Sequence, residues 1–343
     1  MTMNLSPSII NTAESNNFSG TVLVKRENET IAEMSFGYAN RSDQLKNNTQ
    51  TRFGIASGCK IFTSIAICQL VEQGKLSFDT KLSQCLEVHF PNFDNEVTIH
   101  HLLTHTSGIP DYFDEEVMDD FEQLWIDNPM YRIRNLKEFL PLFKDQAMKF
   151  RTGERFHYNN AGYILLGLIV EQTSQQRFDE YVQEHIFDWA GMNGSGYFEF
   201  DAYPQNTALG YIEQNNGNWK TNIYSLPVKG GSDGGAFVTV NDMDKLWEAL
   251  MNNHLLSKFY TEQLLTSHVH IENVDYYGYG VWIKQNAGGN VVKYHVLGYD
   301  PGVNFHSGFY PDKRMKVVVC SNKSSGAFDL LHAIEDEMKN LKD

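Results

Sequence analysis

The chain has 343 residues, 41% of them hydrophobic, and a formal net charge of −15 at pH 7. That length suits two domains, or one large domain with an insertion, and the composition excludes a disordered chain. The acidic balance leaves no basic stripe to displace counterions, so nucleic acid is excluded as a main partner and an anionic membrane surface is disfavoured. An anionic substrate held by one or two local cations stays open.

The N-terminal stretch lacks a basic segment followed by an apolar one, so no signal peptide is expected. No run of 18 or more apolar residues occurs, so no membrane span is expected either. Residues 1–15 read as a short helix or an arm. Segments 20–24 and 30–36 read as strands of an antiparallel hairpin turned by Arg26-Glu27-Asn28-Glu29. A helix over 61–73 follows, with Ile61, Phe62, Ile65, Ala66, Leu70 and Val71 at helical spacing and Gly74 as its stop. From 76 to 186 the pattern is helical and rich in loops. Thr98 caps a short helix through His105, which Gly108 and Pro110 end. Residues 111–130 carry acids and aromatics without a clean period. A short helix is expected over 135–144, interrupted or kinked by Pro141. A turn over 151–160 then leads into an apolar helix at 163–171.

After Asn193 glycine and strand content rises. Residues 230–235 form a glycine-rich turn. The segment Thr239-Val240-Asn241-Asp242 reads as a capping box for a helix over 243–250. Strands are expected at 279–284, 290–295, 303–310 and 315–320, joined by turns at 286–289 and 311–314, before a C-terminal helix over 327–341. Strands at both ends with helices between predict an α/β (α+β) fold. Its single antiparallel sheet is built from both termini: residues 1–78 with 190–343 as the sheet domain, and 79–189 as an inserted helical domain. The four cysteines, Cys59, Cys68, Cys85 and Cys320, match no zinc or redox spacing. They read as free thiols of a reducing compartment and make the expected location cytoplasmic, although a secreted chain trimmed of its leader would read the same.

Chemistry concentrates where a loop becomes the helix at 61. Ser57 and Lys60, three apart, share one helical face, with a hydroxyl beside an ammonium at the positive end of a helix. That is the start of an activated nucleophile. Cys59 points off that face and reads as packing. The Ser57 N–H can be one oxyanion donor. The proton acceptor is Lys60, if deprotonated, or Tyr158, if the fold brings it close. A free phenol has a pKa of about 10, so acting as a base near neutrality costs ~4 kcal/mol. A neighbouring Lys60 cation is expected to lower it.

Ser57-Gly58-Cys59-Lys60 with Tyr158-Asn159-Asn160 resembles the Ser-x-x-Lys and Tyr-x-Asn motifs of class C-type serine β-lactamases and the related penicillin-binding proteins and esterases. The stretch Leu102-Leu103-Thr104-His105-Thr106-Ser107-Gly108-Ile109-Pro110 is similar to the family's segment between them. Gly234-Gly235 before a capped helix also fits, and the likeness runs from about residue 18 to 322. The resemblance implies a β-lactamase/transpeptidase-like fold and an acyl-serine at Ser57. It implies proton transfer by Lys60 and Tyr158, and an Asn160 side chain bonded to the substrate amide or to Lys60. No cofactor or metal is implied, and the partner is a small molecule or short peptide. The family's third motif, a Lys or His ahead of a small hydroxyl residue and Gly, departs here. Alignment on Pro301-Gly302 places Val296-Leu297-Gly298 on it, whereas alignment on His295 puts Leu297 where Gly belongs. His295, Gly298 and Tyr299 are the substrate-binding candidates, with the second oxyanion N–H at Tyr299 or Gly298. No lysine stands there, and His295 is mostly neutral at pH 7. Weak β-lactam turnover is therefore expected, with an ester or a peptide ending in a D-residue as the natural substrate. The rival reading is a pseudoenzyme that acylates without turnover or only recognises cell-wall peptides.

Other signals are weaker. His100, His101 and His105 include an i, i+4 pair, but the glutamate of a His-Glu-x-x-His motif is missing, and helix packing is the expectation. The glycines at 230–235 lack the Lys-Ser or Lys-Thr of a phosphate loop. Tyr112, Phe113, Trp125, Tyr224 and Tyr299 are candidates for a substrate wall.

Overall fold

The computed structural model describes residues 6–215 and 217–339. Its frame is an antiparallel sheet of eight strands. In chain order they are β1 (Gly20–Arg26), β2 (Glu29–Phe36), β3 (Val269–Glu272), β4 (Asp275–Tyr277), β5 (Trp282–Gln285), β6 (Val291–Asp300), β7 (Val303–Tyr310) and β8 (Met315–Ser321). The spatial order is β2-β1-β8-β7-β6-β5-β4-β3. Gly20 pairs with Ser321 and Arg26 with Met315, so the two ends of the chain meet in mid-sheet. Alternation decides what each face buries. Val22, Val24, Val317 and Val319 pack with Ile9, Leu330 and Ile334 of helices α1 (Ser6–Ser15) and α5 (Ala327–Lys339). On the other face, Leu23, Val296, Phe305 and Val318 join a larger core.

That core continues through α2 (Lys60–Glu72), α3 (Asn160–Ser174) and α4 (Val240–Met251). Nearly every α2 side chain is buried, including Ile61, Phe62, Ile65, Ile67 and Leu70. A helix apolar all round must lie inside, and α2 does, packed against α3. The two-residue pairing of Phe53–Gly54 with Phe237–Val238 ties the turn before α2 to the glycine-rich segment.

The expected sheet, hairpins and helices are present, with differences at the edges. α4 begins at Val240, directly after Thr239, whose hydroxyl accepts from the Asp242 N–H at 3.1 Å. α3 begins at Asn160 and β6 runs on to Asp300. β3 and β4 went unread because both are short and carry polar residues such as His270, Glu272 and Asp275. The final residues of the expected C-terminal helix, 340 and 341, lie outside the described residues.

Candidate active site

Ser57 sits in the 3-10 turn Ala56–Cys59 that leads into α2. Ala56 has φ of +46°, a left-handed conformation that costs a non-glycine residue about 1–2 kcal/mol. The surroundings hold it there: Ile55 N–H donates to Ala236 O at 3.0 Å and Gly235 N–H to Ala56 O at 3.3 Å. β6 crosses beside this turn, and Gly298 permits it. A Cβ on Gly298 would stand 2.0 Å from Ile55 O and 3.0 Å from Gly58 N. The serine turn and the strand at Gly298 thus lie side by side, and Ser57 and Tyr299 line one cleft.

Lys60 lies beneath the serine, buried to 2% exposure. Its ammonium donates to Ser57 Oγ at 3.0 Å, Asn160 Oδ1 at 2.9 Å and Asp233 O at 2.6 Å. Three acceptors match the three protons of an ammonium. Burial alone would strip that charge, but the Tyr158 oxygen and the Asp233 carboxylate outweigh burial and hold Lys60 above its ordinary range. Both Lys60 and Ser57 act on the Tyr158 hydroxyl, each pulling its pKa down. The Tyr158 ring lies with its centroid 4.9 Å from Lys60 Nζ. Burial outweighs every other influence and pushes Tyr158 up to about 12, although the Lys60 cation pulls the phenol down as expected. At rest both members of the pair therefore keep their protons.

Sequence reasoning missed the groups that hold this pair. Asp111, buried, accepts from Asn160 N–H at 2.7 Å and Ala161 N–H at 2.9 Å, fixing the first turn of α3. Burial raises its carboxyl to about 7, against the pull of those two N–H groups. Asp233 supplies its backbone oxygen to Lys60, while its carboxylate accepts from the Tyr112 hydroxyl. Neither aspartate belongs to a local motif. Each acts through a contact spanning 49 residues or more. His105 accepts from Asn159 N–H on Nδ1 at 3.0 Å, leaving Nε2 to donate to Tyr277 Oη at 3.1 Å. It positions the Tyr158 segment as a neutral ring, since burial and the Lys60 charge hold it well below the usual histidine range.

The other candidates divide. Asn160 meets Lys60, and its Nδ2 donates to Phe113 O at 3.2 Å. Tyr299 is 60% exposed at the mouth of the cleft. His295 does not reach the site. Gly298 faces the serine turn, so Val296 shares that face and His295 takes the opposite one. There His295 Nδ1 meets His306 Nε2 at 3.2 Å. Val296, on the serine side of the strand, is buried to 2% exposure. Of the candidate wall residues, Tyr112 and Tyr299 line the cleft. Trp125 is buried with its N–H on Ser225 O, Phe113 packs on Phe121, and Tyr224 is 75% exposed. His100 bonds Tyr279 Oη at 2.9 Å and His101 caps against Thr98. Cys59 is buried against Gly231 O, its thiol pushed up to about 12 by burial.

The Beta-lactamase family matches residues 11–337. The chain belongs to the beta-lactamase family. This member is 61% identical to a penicillin binding protein from Bacillus halodurans whose crystal structure matches with a TM-score of 0.92 over 96% of this chain and 99% of that one. It is 30% identical to Penicillin-binding protein 4* of Bacillus subtilis (strain 168) over 329 residues, covering 90% of this chain and 69% of the relative. D-amino acid amidase from Ochrobactrum anthropi SV3 shares the fold, with a TM-score of 0.78 at 18% identity over 98% of each chain. Proteins of the beta-lactamase family are serine hydrolases. Among the described residues, no helix is long and apolar enough to cross a membrane.

Proposed function

We propose that this protein is a serine hydrolase that cleaves an ester or amide through an acyl-Ser57 intermediate. Lys60 and Tyr158 shuttle the proton, and the Ser57 N–H with the N–H of Tyr299 or Gly298 receives the oxyanion. The carrying observation is the 3.0 Å contact from Lys60 Nζ to Ser57 Oγ, with the Tyr158 ring centroid 4.9 Å from the same ammonium. Lys60 already donates to Ser57 Oγ, so the serine proton leaves toward Tyr158. For Tyr158 to accept it, the Lys60–Tyr158 pair must first lose one proton. Asn160 serves in this reading by holding Lys60.

The substrate is an ester or a D-residue-containing amide or peptide, with β-lactams turned over weakly. Val296 supports this, because a buried valine offers no cation to the carboxylate of a β-lactam. The same valine favours a second reading, a protein that acylates without release or only recognises cell-wall peptides. Nucleic acid plays no part in either reading, given the net charge of −15. The four free, buried cysteines support a reducing, cytoplasmic location. Steady turnover of p-nitrophenyl esters, abolished in Ser57→Ala, is the expected result. A burst that stops at one equivalent would instead establish the non-turnover reading, and nitrocefin hydrolysis at the rate of a dedicated β-lactamase would contradict the assigned substrate class.

A further inference from the structure

The lining of the cleft over Ser57 includes Tyr112, Glu115, Asp233, Tyr299 and Asp300. Among the described residues, that lining holds three carboxyl groups and no lysine, arginine or histidine. The Lys60 ammonium lies below the cleft with its protons already donated to Ser57, Asn160 and Asp233. Two of the carboxyls are engaged. Asp233 accepts from the Tyr112 hydroxyl, and Glu115 is 3.5 Å from Asn160 Nδ2. The third differs. Asp300 ends β6 two residues beyond Gly298, and alternation turns it to the same face as the serine turn. Among the described residues its carboxyl has no hydrogen-bond or ion-pair partner. It also borders a second cleft, walled by Phe200, Tyr203, Leu226 and Phe237, so it stands where the two clefts adjoin.

A carboxyl group in such a place selects by charge. A substrate carboxylate meets like charge at Asp233 and Glu115, whereas an ammonium finds at Asp300 a carboxyl with no other partner, which it can ionise. We propose that Asp300 selects substrates carrying a free cationic amine, namely amino-acid esters or amides with an unblocked α-amino group, and rejects their N-acylated or carboxylate-bearing counterparts. This rests on the reading of Ser57 as the acylated nucleophile, and it names the group that the cleft binds beside it. Burial and the neighbouring Asp233 carboxylate raise Asp300 to about 8, while Lys60 pulls it down and Glu115 pushes it up. A bound ammonium supplies the opposite charge that ionises it.

Binding to Ser57→Ala, measured by calorimetry, tests the proposal without turnover. The ligands are phenylalaninamide and N-acetyl-phenylalaninamide, each as D and L enantiomers. The free-amine ligand of one enantiomer is expected to bind at least about tenfold more tightly than its N-acetyl partner. Adding Asp300→Asn should reduce the difference below about threefold, and adding Asp300→Glu should restore part of it. Equal binding of both ligands, tighter binding of the N-acetyl form, no binding of either at millimolar concentration, or a preference that survives Asp300→Asn would overturn the proposal. Fluorophosphonate labelling of the wild-type chain reports on Ser57 separately, so failure of the nucleophile assignment is distinguishable from failure of the amine selection.

Discussion

The chemistry rests on who holds protons among Ser57, Lys60 and Tyr158. Lys60 is held up by charge and Tyr158 by burial, so the resting pair carries one proton too many for base catalysis. The sign follows: kcat/KM for a neutral ester rises with pH from neutrality into the alkaline range, and a flat profile from pH 6 to 9 would argue for another base. Tyr158→Phe should lower kcat/KM by about 10²–10⁴ while leaving the fold intact, as judged by circular dichroism. Ser57, Lys60, Tyr158 and Asn160 were legible because each belongs to a short motif. Asp111 and Asp233 were not, because their roles come from bonds to residues distant in the chain. Asp111→Ala would leave two buried N–H groups without their acceptor. It should cost about 1–3 kcal/mol of stability, read as a lower denaturation midpoint.

At the scale of elements, β6 decides how the site is closed. Its register puts Val296, Gly298 and Asp300 on the serine side and His295 on the other. A one-residue shift changes the face of every side chain, which is why the histidine nearest the expected motif could not be assigned from spacing alone. Gly298→Ala would drive a methyl group against Ile55 O and push the strand from the serine turn. Acylation of Ser57 should slow by about 10²-fold, measured with a fluorophosphonate, since an ångström of misplacement is enough. Behind the strand, His295 and His306 stack with centroids 5.1 Å apart and are both held well below the histidine range by burial. Their unfolded forms take up protons near 6.5 while the folded forms do not. Stability is thus present above that pH and is lost as pH falls below it. Thermal midpoints should drop between pH 7 and 5, and less steeply in His295→Leu.

For the molecule as a whole, the joining of both termini in one sheet was readable from strand patterns at the two ends. The edge strands β3 and β4 were not, since short polar strands take their structure from neighbours rather than from their own periodicity. The proposed division into a sheet domain and an inserted 79–189 region meets one continuous core, in which Leu23 and Val318 of the sheet share a cluster with Phe143 and Leu165. That continuity couples the two regions in unfolding. The most direct test of the account is intact mass after exposure to a fluorophosphonate, with peptide mapping of the adduct. One adduct per chain on Ser57, absent in Ser57→Ala and slowed in Tyr158→Phe, is the predicted result; an adduct on another residue, or labelling that persists in Ser57→Ala, would contradict it.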